Sequence, residues 1–348
     1  MFRPDRPCKR RLGRARASKR RAGYALVIVI WGLGIIALLV VSFMTAAKLR
    51  VQSAFNIAGG AQARLIAQGV VNKAMLTLSQ EQQTPQPGAL ALGGAPPAGQ
   101  AAAANADPAK IHDGHPLLCG FGDAAVVVAI EDEGGKVDLN AAPQALLKAM
   151  LGGFGLGLRE ADIAANAIVA FRTPRDAGSG QPGGLQAKSA QAQFNTIFEL
   201  YQVEGIEASL VRELLPYLTV HSRLPGVNNE TAPPALFAAL AGYSPQDVSA
   251  LEAAPFPNAL DRRDPRFSNT FKQNGASGVF LLHAEARLAS GQTGVQDVVI
   301  DVQYRQGLAG ATPEAEPFAI RELRQGSIRY KDLLRSVSPG NAGALPRC

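Results

Sequence analysis

The feature that most constrains this chain is residues 22–47, which contain no charged side chain. Within them, residues 24–43 are almost wholly apolar. Twenty helical residues at ~1.5 Å each match the roughly 30 Å hydrocarbon core of a bilayer. A buried core helix is disfavoured because the run is apolar on all sides and begins abruptly after Lys19-Arg20-Arg21. A secretory signal peptide would have a shorter apolar core and a small-residue cleavage site beyond it. Here helix-forming sequence continues through Lys48, Arg50 and Gln52. The run follows ten basic residues and one acid in residues 1–23, so the leader carries +9 of a formal +7 total. The remaining 25 basic and 27 acidic groups leave the body at −2. The basic balance therefore orients the chain and gives no signal for nucleic acid, since the positive-inside rule keeps such a leader in the cytoplasm. This reads as a single-pass anchor, about residues 24–45, with the C-terminal body on the far side of the membrane.

Beyond the anchor, helical character continues to about residue 80. Ile66, Val70, Ala74 and Leu78 recur at four-residue steps with Leu65 beside them, and Gly59-Gly60 predicts an interruption or kink. Residues 81–110 are rich in Pro, Gly and Ala and read as a flexible linker. Residues 124–131 (AAVVVAIE) predict a buried strand, turned by Glu133-Gly134-Gly135 so that residues 136–139 return as a second strand. Helices are expected at 143–151, 159–172, 197–201, 208–215, 233–240 and 245–253. Strands return at 279–288 and 295–304, and the tail from 307 reads as irregular with a short helix near 328–334. Residues 136–151 and 226–241 echo one another at an offset of 90, with Val137/Val227, Pro143/Pro233 and Leu146/Leu236 among the matches. Each copy is an extended segment entering a helix, with Pro in the first turn where its missing N–H costs nothing.

Gly23 between leader and apolar run resembles the prepilin class, whose peptidase cuts after such a glycine on the cytoplasmic side, leaving Tyr24 as the mature N-terminus. In most members position five is Glu; here it is Ile28. That departure is similar to the minor pseudopilin K family of type II secretion. Residues 133–140 (EGGKVDLN), 198–206 (FELYQVEGI), 215–220 (LPYLTV) and 227–233 (VNNETAP) carry the same resemblance in the same order, from about residue 20 to 304. Glu230 stands where Asn is more usual, and the 85–108 insert is an addition. The resemblance implies an α+β, type IV pilin-like fold: a long N-terminal hydrophobic helix and a small antiparallel sheet (residues 111–140 and 256–306), with a large all-α insertion at 141–255. It implies a tip subunit of the periplasmic pseudopilus, with minor pseudopilins I, J and H, prepilin peptidase and the inner membrane as partners. The rival is a minor pilin of a type IV pilus or DNA-uptake system.

Chemical motifs are sparse. The Val203-Glu204-Gly205-Ile206 turn resembles a helix-hairpin-helix, but Glu199, Glu204 and Glu207 would repel phosphate. Gly153-Phe154-Gly155-Leu156-Gly157 follows a helix and lacks dinucleotide spacing, so it reads as an interhelical turn. No phosphate loop or nucleophile elbow is present, so neither an enzyme nor a required cofactor is expected. His112, His115 and Cys119 could hold a metal but lack an obvious fourth ligand; His221 and His283 stand alone. Pseudopilins as a class often carry calcium; Glu131, Asp132, Asp261 and Asp264 are available acids but form no recognisable loop. Cys8 would leave with the leader, and Cys119 and Cys348 could pair on the oxidising side.

Overall fold

The computed structural model describes residues 21–81, 112–173, 193–253, 262–302, 318–338 and 340–348. The leader through residue 20, the linker at 82–111 and Asp261 lie outside these. The chain divides into two units, Met1–Ala58 and Gly59–Cys348. One helix, α1 (Arg21–Glu81), runs through both. It contains no proline, and Gly59-Gly60 do not interrupt it, contrary to expectation. Gly59 instead makes room for the Gln292 side chain, whose Cδ would lie 2.8 Å from a Cβ there.

In the second unit α1 buries Ala63, Ala67, Val70, Val71, Met75 and Leu78, while Ile66 and Ala74 flank them. The buried stripe is thus rotated from the one expected, and Leu65 is exposed. A close approach decides this. Gly294 lies directly against the helix backbone at Ala63–Arg64, where any Cβ on it would collide.

Seven strands form two sheets among the described residues: β1 (Leu117–Phe121), β2 (Ala124–Asp132), β3 (Val137–Asp138), β4 (Leu218–Thr219), β5 (Val279–Arg287), β6 (Thr293–Asp301) and β7 (Ala319–Arg324). The larger sheet has the order β1-β2-β5-β6-β7 and is antiparallel throughout. Its period-two alternation gives two faces. Val126, Val128, Ile130, Phe280, Leu282, Ala284, Val298 and Ile300 pack on α1. The opposite face carries Val127, Leu281, His283, Glu285 and Asp297, all buried.

Three expectations fail here. Residues 136–139 do not return along β2, because β1 and β5 already occupy both of its edges. They continue past a 3-10 turn (Glu133–Gly135), capped by Asp132, into β3, which pairs in parallel with β4. The tail is less irregular than expected: beside the short helix expected near 328–334, present as α7 (Lys331–Ser336), it supplies β7 and a 3-10 turn at Ala342–Ala344. A bulge at Val299/Ile300 breaks the register of β7 and spoils the alternation that would have revealed it. The pilin-like part resumes at Val279 rather than 256, since residues 262–273 pack with the helices: Phe267 lies in their core and Lys272 bridges to Val227.

The insertion between β2 and β5 holds α2 (Gln144–Gly153), α3 (Leu158–Arg172), α4 (Ala208–Leu214), α5 (Pro234–Leu240) and α6 (Pro245–Ala253) around one core. The echo is built into its hydrogen bonds. Asp138 Oδ1 accepts from Asn140 N at 2.7 Å, and Asn228 Oδ1 from Glu230 N at 3.0 Å. Ala142 N donates to Asp138 O, and Ala232 N to Asn228 O, both at 2.9 Å. Arg172 donates to the carbonyls of Leu139 (2.7 Å) and Ala142 (2.6 Å). Arg262 repeats this on Asn229 (3.3 Å) and Ala232. Each copy is a segment turned by a short polar side chain, entering a helix pair, and tied by an arginine at the end of the second helix (Arg172) or beyond it (Arg262). Both guanidiniums are pulled below their usual pKa by burial. Each extended segment also has a parallel partner of its own: Leu139 N donates to Thr219 O (2.9 Å), and Val227 N to Phe271 O (2.7 Å).

Replacing either arginine strands two carbonyls. Arg172→Ala and Arg262→Ala should each lower unfolding free energy by about 2 kcal/mol, as charge-assisted hydrogen bonds do. Denaturant melts of the full chain in detergent would measure both; a loss in only one would break the equivalence.

Candidate functional site

Two regions carry the features from which function can be argued, one in each unit. In the first, α1 holds Tyr24, Ile28 and their neighbours on a continuous helical backbone, with no acid in its first turn. Tyr24 is 75% and Ile28 69% exposed, and the large apolar side chains through Ile57 are likewise exposed. The helix is long and apolar enough to cross a membrane, and that apolar stretch is unburied within the chain. Chemically it offers dispersion and hydrophobic contact, either to lipid or to like helices, and no charge. Gly23 precedes it on the same helix.

In the second unit the polar face of the sheet holds a buried ionic cluster. His283 lies on β5 and is fully buried; its Nδ1 bonds Asp297 at 2.5 Å and its Nε2 bonds Glu285 at 2.9 Å. Burial opposes the charged ring, but the two carboxylates outweigh it and raise the His283 pKa. With both nitrogens bonded to carboxylates and no exposure, the ring is clamped between acids, an arrangement that favours its protonated form. Glu285 in turn accepts the backbone N–H groups of Arg329 and Tyr330, the second at 3.0 Å. The Arg329 guanidinium reaches Glu131 at 2.7 Å and lies 3.8 Å from Asp297. Lys136 pairs with Glu131 (2.7 Å) and Glu133 (2.8 Å). Burial pushes the Glu131 carboxyl up, yet Lys136 and Arg329 outweigh it and bring it down to about 2.

A cleft of about 720 Å3 opens beside this cluster, lined by Glu131, Lys136, Tyr217, Pro233, Glu252 and Arg329 among others. Within its wall Tyr217 donates its hydroxyl to Glu252 at 2.8 Å, and burial first, then Glu252, raises the phenol's pKa.

Several of the candidate metal ligands have other partners. Cys119 is bonded to Cys348 in a disulfide and is thus lost to the proposed His112–His115–Cys119 site. Asp132 Oδ1 caps Gly134 N (2.8 Å) and accepts the Ser277 hydroxyl (2.6 Å). Asp264 accepts the Tyr243 hydroxyl at 2.8 Å and pairs with Arg266 at 2.6 Å. Among the described residues, no group of three or more His, Cys, Asp or Glu could hold a metal.

The helix-hairpin-helix-like turn lies between a 3-10 helix (Ile197–Gln202) and α4, with Gly205 at φ +84°. Leu200 and Val203 are buried in the helical core, which gives this turn a packing role. Its nearby cation, Arg212, folds back on the Ala208 carbonyl at 3.3 Å. Residues 153–157 form the turn between α2 and α3, where Gly153 lets α2 touch Ala239 of α5. Sequence reasoning missed Glu285, Asp297 and Arg329. His283, Glu285 and Asp297 share one face of β5 and β6, but alternation of this kind ordinarily marks a solvated face.

The cluster sets a pH window. The folded His283 pKa is raised, so its stabilisation is full below the unfolded value of about 6.5 and is lost as pH rises through the folded value. Glu131 and Glu285 are lowered, so theirs is present above about 4.5 and lost as pH falls. Melting temperature should therefore decline on both sides of roughly pH 5–6.5. His283→Gln should flatten the alkaline limb and cost about 3–5 kcal/mol, because it leaves buried acids without their cation. Calorimetry of the full chain across pH would show it; an unchanged alkaline limb would rule out the clamp.

No protein-family model matches this sequence, and no curated relative matches it. Among solved structures, a chain of the crystal structure of the GspK–GspI–GspJ complex from the enterotoxigenic Escherichia coli type 2 secretion system is similar to it. The TM-score is 0.40 at 16% identity, and the match covers 61% of this chain and 84% of that chain.

Proposed function

We propose that this chain is a minor pseudopilin of the K type. In this reading prepilin peptidase removes the leader after Gly23 and the new N-terminus is methylated. The apolar part of α1 first holds the subunit in the inner membrane, with the body in the periplasm. It later leaves lipid for the core of a filament, together with minor pseudopilins I, J and H, in support of protein export across the outer membrane.

The observation that carries this reading is α1 itself. Its first half is apolar on every side and unburied, while its second half is amphipathic and docked on an antiparallel sheet. A helix meant only as an anchor has no need to continue into the fold without a break. The resemblance supplies the rest. Ile28 offers no carboxylate to the amine of a subunit above, which suits a subunit with none above it. The helical insertion adds bulk to a head that would block further addition. The Cys119–Cys348 disulfide agrees with an oxidising compartment. No reaction is part of this function, and no cofactor is needed for it.

Mass spectrometry of the membrane-extracted protein tests the reading. Expressed with prepilin peptidase, the wild-type chain should begin at Tyr24 with a methylated amine, and Gly23→Val should stay full length. A wild-type chain still beginning before Tyr24 would sink the assignment. Copurification with minor pseudopilins I and J tests the partners separately.

A further inference from the structure

The two edges of the five-stranded sheet are protected in different ways. The β7 edge is charged and bulged: Arg321 pairs with Asp301 (2.6 Å), Glu322 with His221 (3.3 Å) and Arg324 with Glu322 (3.5 Å). Such charges and bulges discourage pairing with another chain. β1 reads LLCGF, with no charge, and its Leu117 and Phe121 are about half exposed, at 51% and 48%. By composition it is the edge most open to another strand.

What covers it is the end of the chain. Gly120 N donates to Pro346 O at 2.7 Å, and Cys348 N donates to Gly120 O at 3.2 Å. Gly120 and Arg347 form a parallel bridge. The last residues thus act as a short sixth strand. They are clasped by the Cys119–Cys348 disulfide and by Lys73 Nζ, which donates to the Cys348 carbonyl. Two ladder bonds hold this segment to the edge, and the disulfide adds a covalent tie.

We propose that the outer edge of β1 is a self-association surface kept occupied by the clasped C-terminal tripeptide, and that its occupant once the clasp opens is β1 of a second copy, antiparallel and centred on Cys119. Two identical edges related by a two-fold axis are self-complementary. Gly120 directs its N–H and C=O outward, to the tail, so by alternation Leu118 does too, while Cys119 turns its backbone groups toward β2. Two such strands meeting at Cys119 pair Leu118 with the other copy's Gly120 through hydrogen bonds. They leave Cys119 opposite Cys119 as a non-hydrogen-bonded pair, with Cα atoms about 4.5 Å apart, within disulfide reach. Opening the clasp takes two electrons and two protons from a dithiol such as dithiothreitol, which closes to its own cyclic disulfide. This inference is independent of the proposed function.

The test uses the full chain in detergent, with Cys8→Ser to remove the third thiol. That chain should run as a monomer on a non-reducing gel. Adding Cys348→Ser frees Cys119, and mild copper–phenanthroline oxidation should then give a dithiothreitol-reversible dimer whose peptide map shows Cys119 joined to Cys119. Adding Leu117→Lys and Phe121→Lys places lysine opposite lysine at two half-exposed positions and should cut dimer yield about tenfold. Circular dichroism checks that each variant keeps its fold. As a measurement that needs no variant at the clasp, the Cys8→Ser chain reduced by dithiothreitol should lose amide exchange protection at Gly120 when dilute and regain it when concentrated. A folded Cys348→Ser chain that stays monomeric, a dimer indifferent to the lysines, or a Gly120 amide still protected in the dilute reduced chain would each overturn the proposal.

Discussion

The structure depends above all on the pairing of β2 with β5. Eight consecutive positions match, from Ala125 with Arg287 to Asp132 with Phe280. Between these two strands lies the entire helical insertion, so their contact returns the chain to its starting point after a long excursion. Closing so long a loop carries an entropic cost that grows slowly with length. Apolar burial against α1 offsets it: Val126, Val128 and Ile130 from β2 and Phe280, Leu282 and Ala284 from β5 share one buried cluster with Val70, Val71 and Leu78. Each fully buried side chain of this size contributes about 1.5–3 kcal/mol. Without that shared face neither α1 nor the insertion would have a fixed base.

The opposite face of the same strands is held by charge instead. His283 between Glu285 and Asp297, with Arg329 bridging to Glu131, forms a compact set of compensated ions. Such a set is a weak source of net stability but a strong source of specificity, since any other register would bury an unpaired charge. The ions also fix the C-terminal segment. Glu285 receives the amides of Arg329 and Tyr330, and Gly326 lies so close to Asp297 that any Cβ would collide with it. From that point α7 packs Leu334 against Ala125 and Val127, and the chain ends on β1. The tail is thereby part of the fold from β7 to the last residue.

The helical insertion shows how much a weak internal echo can mean. Few side chains match between residues 136–151 and 226–241, yet Asp138 and Asn228 cap alike, and Arg172 and Arg262 tie the same pair of carbonyls at the same offset of 90. The matching prolines could be seen in the sequence. The arginines could not, because each lies far along the chain from the carbonyls it binds and resembles any surface cation until the helices are packed.

The sequence by itself determined whatever rests on local pattern and composition. The membrane-length apolar helix, the charge confined to the leader, the strands near 124–131, 279–288 and 295–304, and the helix at 245–253 all follow from periods of 2 or 3.6 and from runs of one residue class. Only the tertiary structure decided which side of α1 meets the sheet, because the deciding contact is the approach of Gly294 to the helix backbone at Ala63–Arg64. It alone sent residues 136–139 away from β2, both of whose edges were taken. It alone turned the alternating charges of β5 and β6 into a buried clamp, and joined Cys119 to Cys348 across a separation of 229 residues. Each of these depends on partners remote in the chain, and local pattern carries no information about which remote segment fills a given face.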